Sequence, residues 1–158
     1  MLQVYADPLL SPDTTDVFQI LKCKKDVYLR GVRARLVVYN DPDFSGLKCS
    51  LRTVKNGMPA SVRAISSNTL SKAEITTTGN GLREVYFEFE LPYGFRILEN
   101  EEIAICIEVQ DYIPAADSYL AFVRAWPRPV YIPSFDPTPF NQNQAPFYLG
   151  VIGGHDEL

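Results

Sequence analysis

The sequence predicts an all-β protein, an antiparallel two-sheet β-sandwich of jelly-roll type with a proline-rich C-terminal arm. Three observations carry that expectation. Two runs alternate strictly: Val85, Phe87, Phe89 and Leu91 fall on one face against Tyr86, Glu88 and Glu90, and Ile103, Ile105, Ile107 and Val109 on one face against Ala104, Cys106 and Glu108. A period of two sends alternate side chains to opposite faces of a strand, whereas at helical spacing the same apolar sets would scatter around the cylinder. Short apolar runs separated by turn formers recur along the chain, about eight or nine in all, with no long helical pattern between them. Nine Tyr, nine Phe and twelve Pro in 158 residues favour strands and structured loops.

Taken in order, residues 1–14 form an arm or edge strand, because Asp7-Pro8 and Ser11-Pro12-Asp13 interrupt Leu2–Tyr5. Val17–Cys23 is the first full strand, and Lys24-Lys25-Asp26 a polar turn. Val27–Tyr39 is the longest strand candidate, with Gly31 marking a bulge or a close backbone approach. Asn40–Gly46 is a loop, and Leu47, Cys49 and Leu51 alternate in the next strand. Asn56-Gly57 suits a type I′ hairpin turn, since both residues tolerate positive φ.

Val62–Ile75 is the least periodic stretch. Val62–Ile65 gives a short strand, and Asn68–Glu74 a loop or one helical turn capped by Asn68 or Ser71. Thr76–Gly81 is a turn into the alternating pair, which the sequence presents as two central strands joined by Pro92–Glu101. Gln110–Ser118 is a loop, and Tyr119–Trp126 a further strand. Residues 127–146 then carry six of the twelve prolines, interleaved with Tyr131, Phe135 and Phe140. Each proline removes a ladder donor, so this segment predicts an extended arm packed on its own domain or on a neighbour. Phe147–Ile152 is a last strand, and Gly153-Gly154 loosens the tail.

Composition narrows the function. The chain is long enough for one domain with a real core. Its 46% hydrophobic and 22% charged residues are ordinary for a soluble domain. A net charge of −4 argues against general nucleic-acid binding and offers no basic patch to an anionic membrane. No window holds the roughly 18 apolar residues of a membrane span. The N-terminus lacks the basic and apolar regions of a signal peptide and the chain has no N-x-S/T sequon, so the terminal His155-Asp156-Glu157-Leu158 is taken as a coincidental match to a lumenal retention signal. Cys23, Cys49 and Cys106 form no C-x-x-C pair, and each falls in a strand as a small apolar residue.

Chemistry is sparse. The one histidine, His155, lies three residues from the end, which removes histidine-based triads and metal sites from the fold. No phosphate-cradling or nucleophile-elbow motif occurs. Glu88 and Glu90 share a strand face at roughly 6–7 Å, and Glu108 is expected on the same face of the neighbouring strand; an acid–base pair for glycoside hydrolysis is the sharp reading. Cross-strand partners Arg33, Arg35, Lys48 and Arg52 make a solvated, charge-paired face the stronger expectation. Asn40, Asp41 and Asp43, or Asp111 and Asp117, supply oxygens for a structural calcium, although Asp and Asn favour turns for local reasons alone. Neither a catalytic residue nor a cofactor is assigned, and Asp41 and Asp43 are weak metal candidates.

Residues 48–109 carry a further pattern: KCSLRTVKNGMPASVRAISSNTLSKAEITT, followed by EVYFEFELPYGFRILENEEIAICIEV. The order is a strand, an N-G-x-P turn, a polar Ser/Thr stretch, an F-x-F strand and an apolar I-A-I strand. It resembles the jelly-roll β-sandwich domains, similar to carbohydrate-binding modules, of bacteriophage virion proteins and bacterial surface proteins. The resemblance covers residues 15–126, with the proline-rich tail outside it. It implies a non-enzymatic virion structural protein: a capsid decoration or cement protein, or a tail-associated assembly module, built into the virion in the host cytoplasm. A chain that starts at Met without a secretion signal or attached catalytic domain fits that reading better than a secreted module. The expected organisation is an arm over 1–14, a sandwich over 15–126 and an extended arm over 127–158. Expected partners are virion proteins and further copies of the chain, with a homotrimer favoured by analogy. Pro129, Tyr131, Phe135, Phe140 and Phe147 are the expected interface. The alternative is a carbohydrate-binding, receptor-binding module, with a glycan stacked on Tyr93, Phe95 and Tyr112.

Overall fold

Residues 16–38 and 81–108 run antiparallel beside one another as a single ribbon, and that ribbon is folded in two. In the computed structural model, residues 16–24, 26–76, 79–89, 94–123, 135–137 and 149–152 are described. β1 (Asp16–Cys23) pairs with β9 (Glu102–Gln110) from Asp16↔Glu108 to Lys22↔Glu102. The same register continues into β2 (Val27–Leu29) and β8 (Phe95–Ile97), from Val27↔Ile97 to Leu29↔Phe95. Beyond the corner, β3 (Gly31–Tyr39) pairs with β7 (Gly81–Glu88) from Gly31↔Glu88 to Val38↔Gly81. The corner itself is tied by the Phe89 N–H donating to the Arg30 carbonyl at 2.9 Å. Gly94 belongs there for a steric reason. Its φ is 93°, and a Cβ would stand 2.8 Å from the Leu29 carbonyl oxygen.

Folding the ribbon places its halves in two sheets. In the first sheet β4 (Gly46–Lys55) adds to the free side of β9, and β5 (Met58–Ile65) returns along β4. β6 (Leu70–Ser71) shares that outer edge of β4, and β11 (Phe135–Pro137) pairs with β1, giving the order β11-β1-β9-β4-β5. In the second sheet β3 is central. β7 lies along one edge, and β10 (Tyr119–Phe122) and β12 (Leu149–Ile152) divide the other. The only helix among the described residues is the single turn α1 (Lys72–Thr76). The protein is therefore an all-β, antiparallel two-sheet sandwich.

The apolar faces of the two sheets meet in one core. Val17, Leu21, Leu47, Cys49, Leu51, Ile103, Ile105 and Ile107 come from the first sheet, and Val32, Leu36, Val85, Phe87, Leu120 and Phe122 from the second. Leu29 and Ile97 plug the corner. One inward position is polar: Gln19, 2% exposed, in register with Ile105, leaves its Nε2 without a hydrogen-bond partner.

Local chemistry behaves as the residue types dictate. Asn56 (φ 55°) and Gly57 (φ 74°) both sit at positive φ, so the β4–β5 turn is the expected type I′. Ser71, rather than Asn68, caps α1: its Oγ accepts from the Glu74 N–H at 3.3 Å, and Glu74 Oε1 accepts from the Ser71 N–H at 3.0 Å. Asn68 does something else. Its amide donates to the Tyr86 carbonyl at 3.0 Å and accepts from the Glu88 N–H at 2.6 Å, so one side chain closes the open edge of β7 as a strand residue would. Gly31 is a close approach: a Cβ there would lie 2.5–2.6 Å from ring atoms of Tyr86.

Four expectations are corrected. The two strongly alternating runs are not neighbouring strands; β7 and β9 belong to different sheets, and both send side chains into the one core. Val27–Tyr39 is not one strand, because Arg30 gives its carbonyl to the corner and the chain changes sheet there. The connection Pro92–Glu101, expected simply to join two strands, contains a strand of its own, β8. The proline-rich arm does make ladder contacts, with Pro137 opposite Leu21 at the end of a three-residue strand. The expected arm over 1–14 lies outside the described residues.

The corner is also held electrostatically. Asp26 accepts the Glu99 N–H at 2.9 Å and pairs with Arg96 at 3.1 Å, and these hold its carboxyl below the usual aspartate value, the backbone bond contributing most. A folded-state pKa depressed below 3.8 means the stabilisation is complete above that pH and is lost as pH falls further. Asp26→Asn is expected to lower the melting temperature at pH 7, with the deficit shrinking below pH 3.8. A deficit independent of pH would contradict this. Gln19→Met removes a buried unsatisfied amide at similar volume and is expected to raise the unfolding free energy by about 1–3 kcal/mol in urea titration. A loss would mean that the amide has a partner.

Candidate functional site

The outward face of the first sheet is concave, and the cause lies in β4 and β5. Register shifts between Leu51 and Arg52 and between Arg52 and Val54 bend the hairpin. β5, paired only with β4, consequently reaches across to touch β9 and β1. Side chains occupy the broken ladder: the Ser61 N–H donates to Thr53 Oγ1 at 3.0 Å, and the Arg52 guanidinium donates to the Ala60 carbonyl at 3.3 Å.

A groove of about 460 Å³ results. Its floor is an outward row in cross-strand register, Phe18 on β1, Cys106 on β9 and Ser50 on β4. Its wall is apolar: Met58, Pro59, Val62 and Ile65, all from β5. Met58, Val62 and Ile65 are 44%, 47% and 49% exposed, which is unusual for three large apolar side chains on one short strand. Lys48 and its cross-strand neighbour Glu108 stand together, and Arg52, also hydrogen-bonded to Ser50 Oγ at 3.2 Å, lies beside Val62. Among the described residues no carboxylate forms an ion pair with Lys48 or Arg52; the ion pairs present join Arg33 and Arg35 to Glu84, Arg63 to Glu101, Lys72 to Asp41 and Arg96 to Asp26.

The cysteines divide by face. Cys49 points into the core, where burial, with a smaller contribution from Cys106, drives its thiol far above the ordinary range. Cys106 lies half-buried in the groove, and none of the three cysteines is disulfide-bonded. The expectation of uniformly core-like cysteines thus holds for Cys23 and Cys49 and fails for Cys106, whose place in the alternation is the outward one.

The residues singled out from sequence are placed elsewhere. Phe95 packs on the core margin under the Arg63 guanidinium, 5.0 Å from its ring centre, and Arg63 is itself paired with Glu101. Tyr112 is half-buried, its hydroxyl donating to the Leu120 carbonyl and accepting from the Leu120 N–H, both at 2.9 Å. Phe95 and Tyr112 therefore present no shared stacking platform; Tyr93 lies outside the described residues. Asp41 (φ 52°) pairs with Lys72, and the Asp43 carbonyl accepts the Ile113 N–H. No group of three or more metal-ligating side chains occurs among the described residues. Glu88 is on the outward face of the second sheet and Glu108 on that of the first, so the sandwich separates them, and Glu90 lies outside the described residues. Arg33 and Arg35 pair with Glu84 rather than with Glu88.

Of the expected interface, Phe135 contributes backbone to β11 opposite Cys23, while Pro129, Tyr131, Phe140 and Phe147 lie outside the described residues. No described helix is long and apolar enough to cross a membrane. The groove residues escaped notice because β5 lacks periodicity, with apolar groups exposed along it. That loss of alternation after an Asn-Gly turn is the signal in the sequence that could have found the β5 residues. The chain matches no protein-family model, no curated protein and no solved structure.

Thiol chemistry checks the geometry. In the native protein, iodoacetamide is expected to alkylate Cys106 well before Cys23 or Cys49, as read by peptide mass spectrometry, because only Cys106 opens to the groove. Equal labelling of all three without denaturant would contradict the assigned faces.

Proposed function

We propose that this chain is a non-enzymatic binding and assembly module of bacteriophage-virion type, a small capsid-decoration or tail-associated β-sandwich that works by protein–protein contact. The groove on the first sheet carries the reading: an exposed apolar wall with a polar floor, built on rigid strands rather than on loops. Such a surface offers desolvation and shape to a partner. The sequence pattern over residues 15–126 supports the virion context. The C-terminal region contributes β11 to the first sheet and β12 to the second.

Homo-oligomers, a trimer by analogy, are the expected state in solution. Multi-angle light scattering across a hundredfold concentration range is the test, with a monomer throughout counting against assembly by self-contact. A glycan array discriminates the carbohydrate-binding alternative: hits lost on substituting groove residues would replace the assembly reading with that one. Truncation at residue 127 is a poor probe, because it removes strands from both sheets and is expected to lower the melting temperature. Val62→Asp with Ile65→Asp is the cleaner change. It is expected to leave circular dichroism and melting temperature near wild type while abolishing partner binding, since both side chains are about half exposed.

A further inference from the structure

We infer that the groove on the first sheet is a site for an extended acidic peptide segment, with carboxylates directed at Arg52 and Lys48 and an apolar side chain seated between them. The inference rests on the protein-binding reading above and names the partner's chemistry.

Charge carries the argument. Lys48 and Arg52 both line the groove, on the same face of β4. Four residues along a strand separate their Cα atoms by roughly 13 Å. Among the described residues neither makes an ion pair, whereas Arg33, Arg35, Arg63, Lys72 and Arg96 all do. Lys22, Arg30, Lys55 and Arg83 make no ion pair among the described residues either; what distinguishes Lys48 and Arg52 is that both line one groove. Arg52 is half-buried, and its two hydrogen bonds go to neutral acceptors, Ser50 Oγ and the Ala60 carbonyl, so its charge is not compensated and further N–H groups remain to donate. Glu108, exposed beside Lys48, is the one acidic residue lining the groove. It tempers the Lys48 end and leaves the Arg52 end, against Pro59 and Val62, the more positive.

Geometry sets the ligand's spacing. A segment lying extended along β4 has the same rise per residue as the strand beneath it. Acidic residues at positions i and i+4 would then reach Lys48 and Arg52. The residue at i+2 would point to the same side and rest over Phe18, Cys106 and Ser50, with Met58, Val62 and Ile65 flanking it.

The probes are two fluorescein-labelled seven-residue peptides. One carries Glu at positions 2 and 6 and Leu at position 4; the other has Gln in place of both Glu. Fluorescence anisotropy against the full chain at low salt is expected to show the Glu peptide binding roughly tenfold tighter than the Gln peptide, with the gap closing as salt screens the charges. Lys48→Gln is expected to weaken the Glu peptide several-fold and leave the Gln peptide unchanged. Equal binding of both peptides, or no effect of Lys48→Gln, overturns the acidic specificity. If neither peptide binds while light scattering still shows oligomers, this inference fails and the assembly reading survives. If the chain is also monomeric throughout, both fail.

Discussion

Everything in this fold depends on one constraint: a two-stranded ribbon with an apolar face must bury that face, and it does so against itself. β1, β2 and β3 pair in turn with β9, β8 and β7, and the ribbon doubles over at β2 and β8. The apolar sides of its halves then become the two walls of the core. Burial of Phe87, Leu36, Ile105 and Leu51 between them is the main stabilising term, since hydrophobic gain scales with the apolar area withdrawn from water. The corner has to be sharp, so it falls at a carbonyl–amide tie between Arg30 and Phe89 and at a glycine whose hydrogen faces a backbone oxygen.

Doubling a ribbon leaves edges, and the chain handles them in different ways. The edge of β7 is closed by the amide of Asn68, an economical substitute for another strand. The outer edge of β4 is shared between β6 and β5. β1 and β3 receive short strands from the C-terminal region. β5 is treated differently, bent by bulges and propped by Thr53 and Arg52. The bend that keeps β5 from being a flat, sticky edge is also what makes the groove. Edge protection and groove thus have one structural origin.

The geometry also accounts for the failure of Phe95 and Tyr112 to form a shared stacking platform. Phe95 and Tyr112 are attractive in a list of residues, yet each is engaged: one beneath a guanidinium, the other in two hydrogen bonds to a single residue. The apolar groups lining the groove are aliphatic side chains, a thioether, a proline and the ring of Phe18. Such a lining suits a peptide's side chains better than a sugar's hydroxyl-rich face.

Strict alternation in Val85–Phe89 and Ile103–Val109 determined strands, and with them the all-β sandwich, because a period of two has one structural meaning. Asn56-Gly57 determined its turn type, since both residues accept positive φ, and Ser71 with Glu74 carried its capping box in plain view. The break at Arg30 was not legible in the sequence, which runs Val27–Tyr39 as one strand with Gly31 as a bulge or close approach; the change of parity shows only once Leu29 and Val32 are both seen to be buried. What tertiary structure alone decided was which strand lies beside which. β7 and β9, so alike in pattern, went to different sheets because pairing follows the long-range register of the ribbon, not proximity in sequence. That assignment separated Glu88 from Glu108 and gathered Phe18, Ser50, Cys106, Arg52 and Val62 around one groove. A side chain's face follows from its neighbours in sequence. Its company on that face follows from strands that meet only when the ribbon closes.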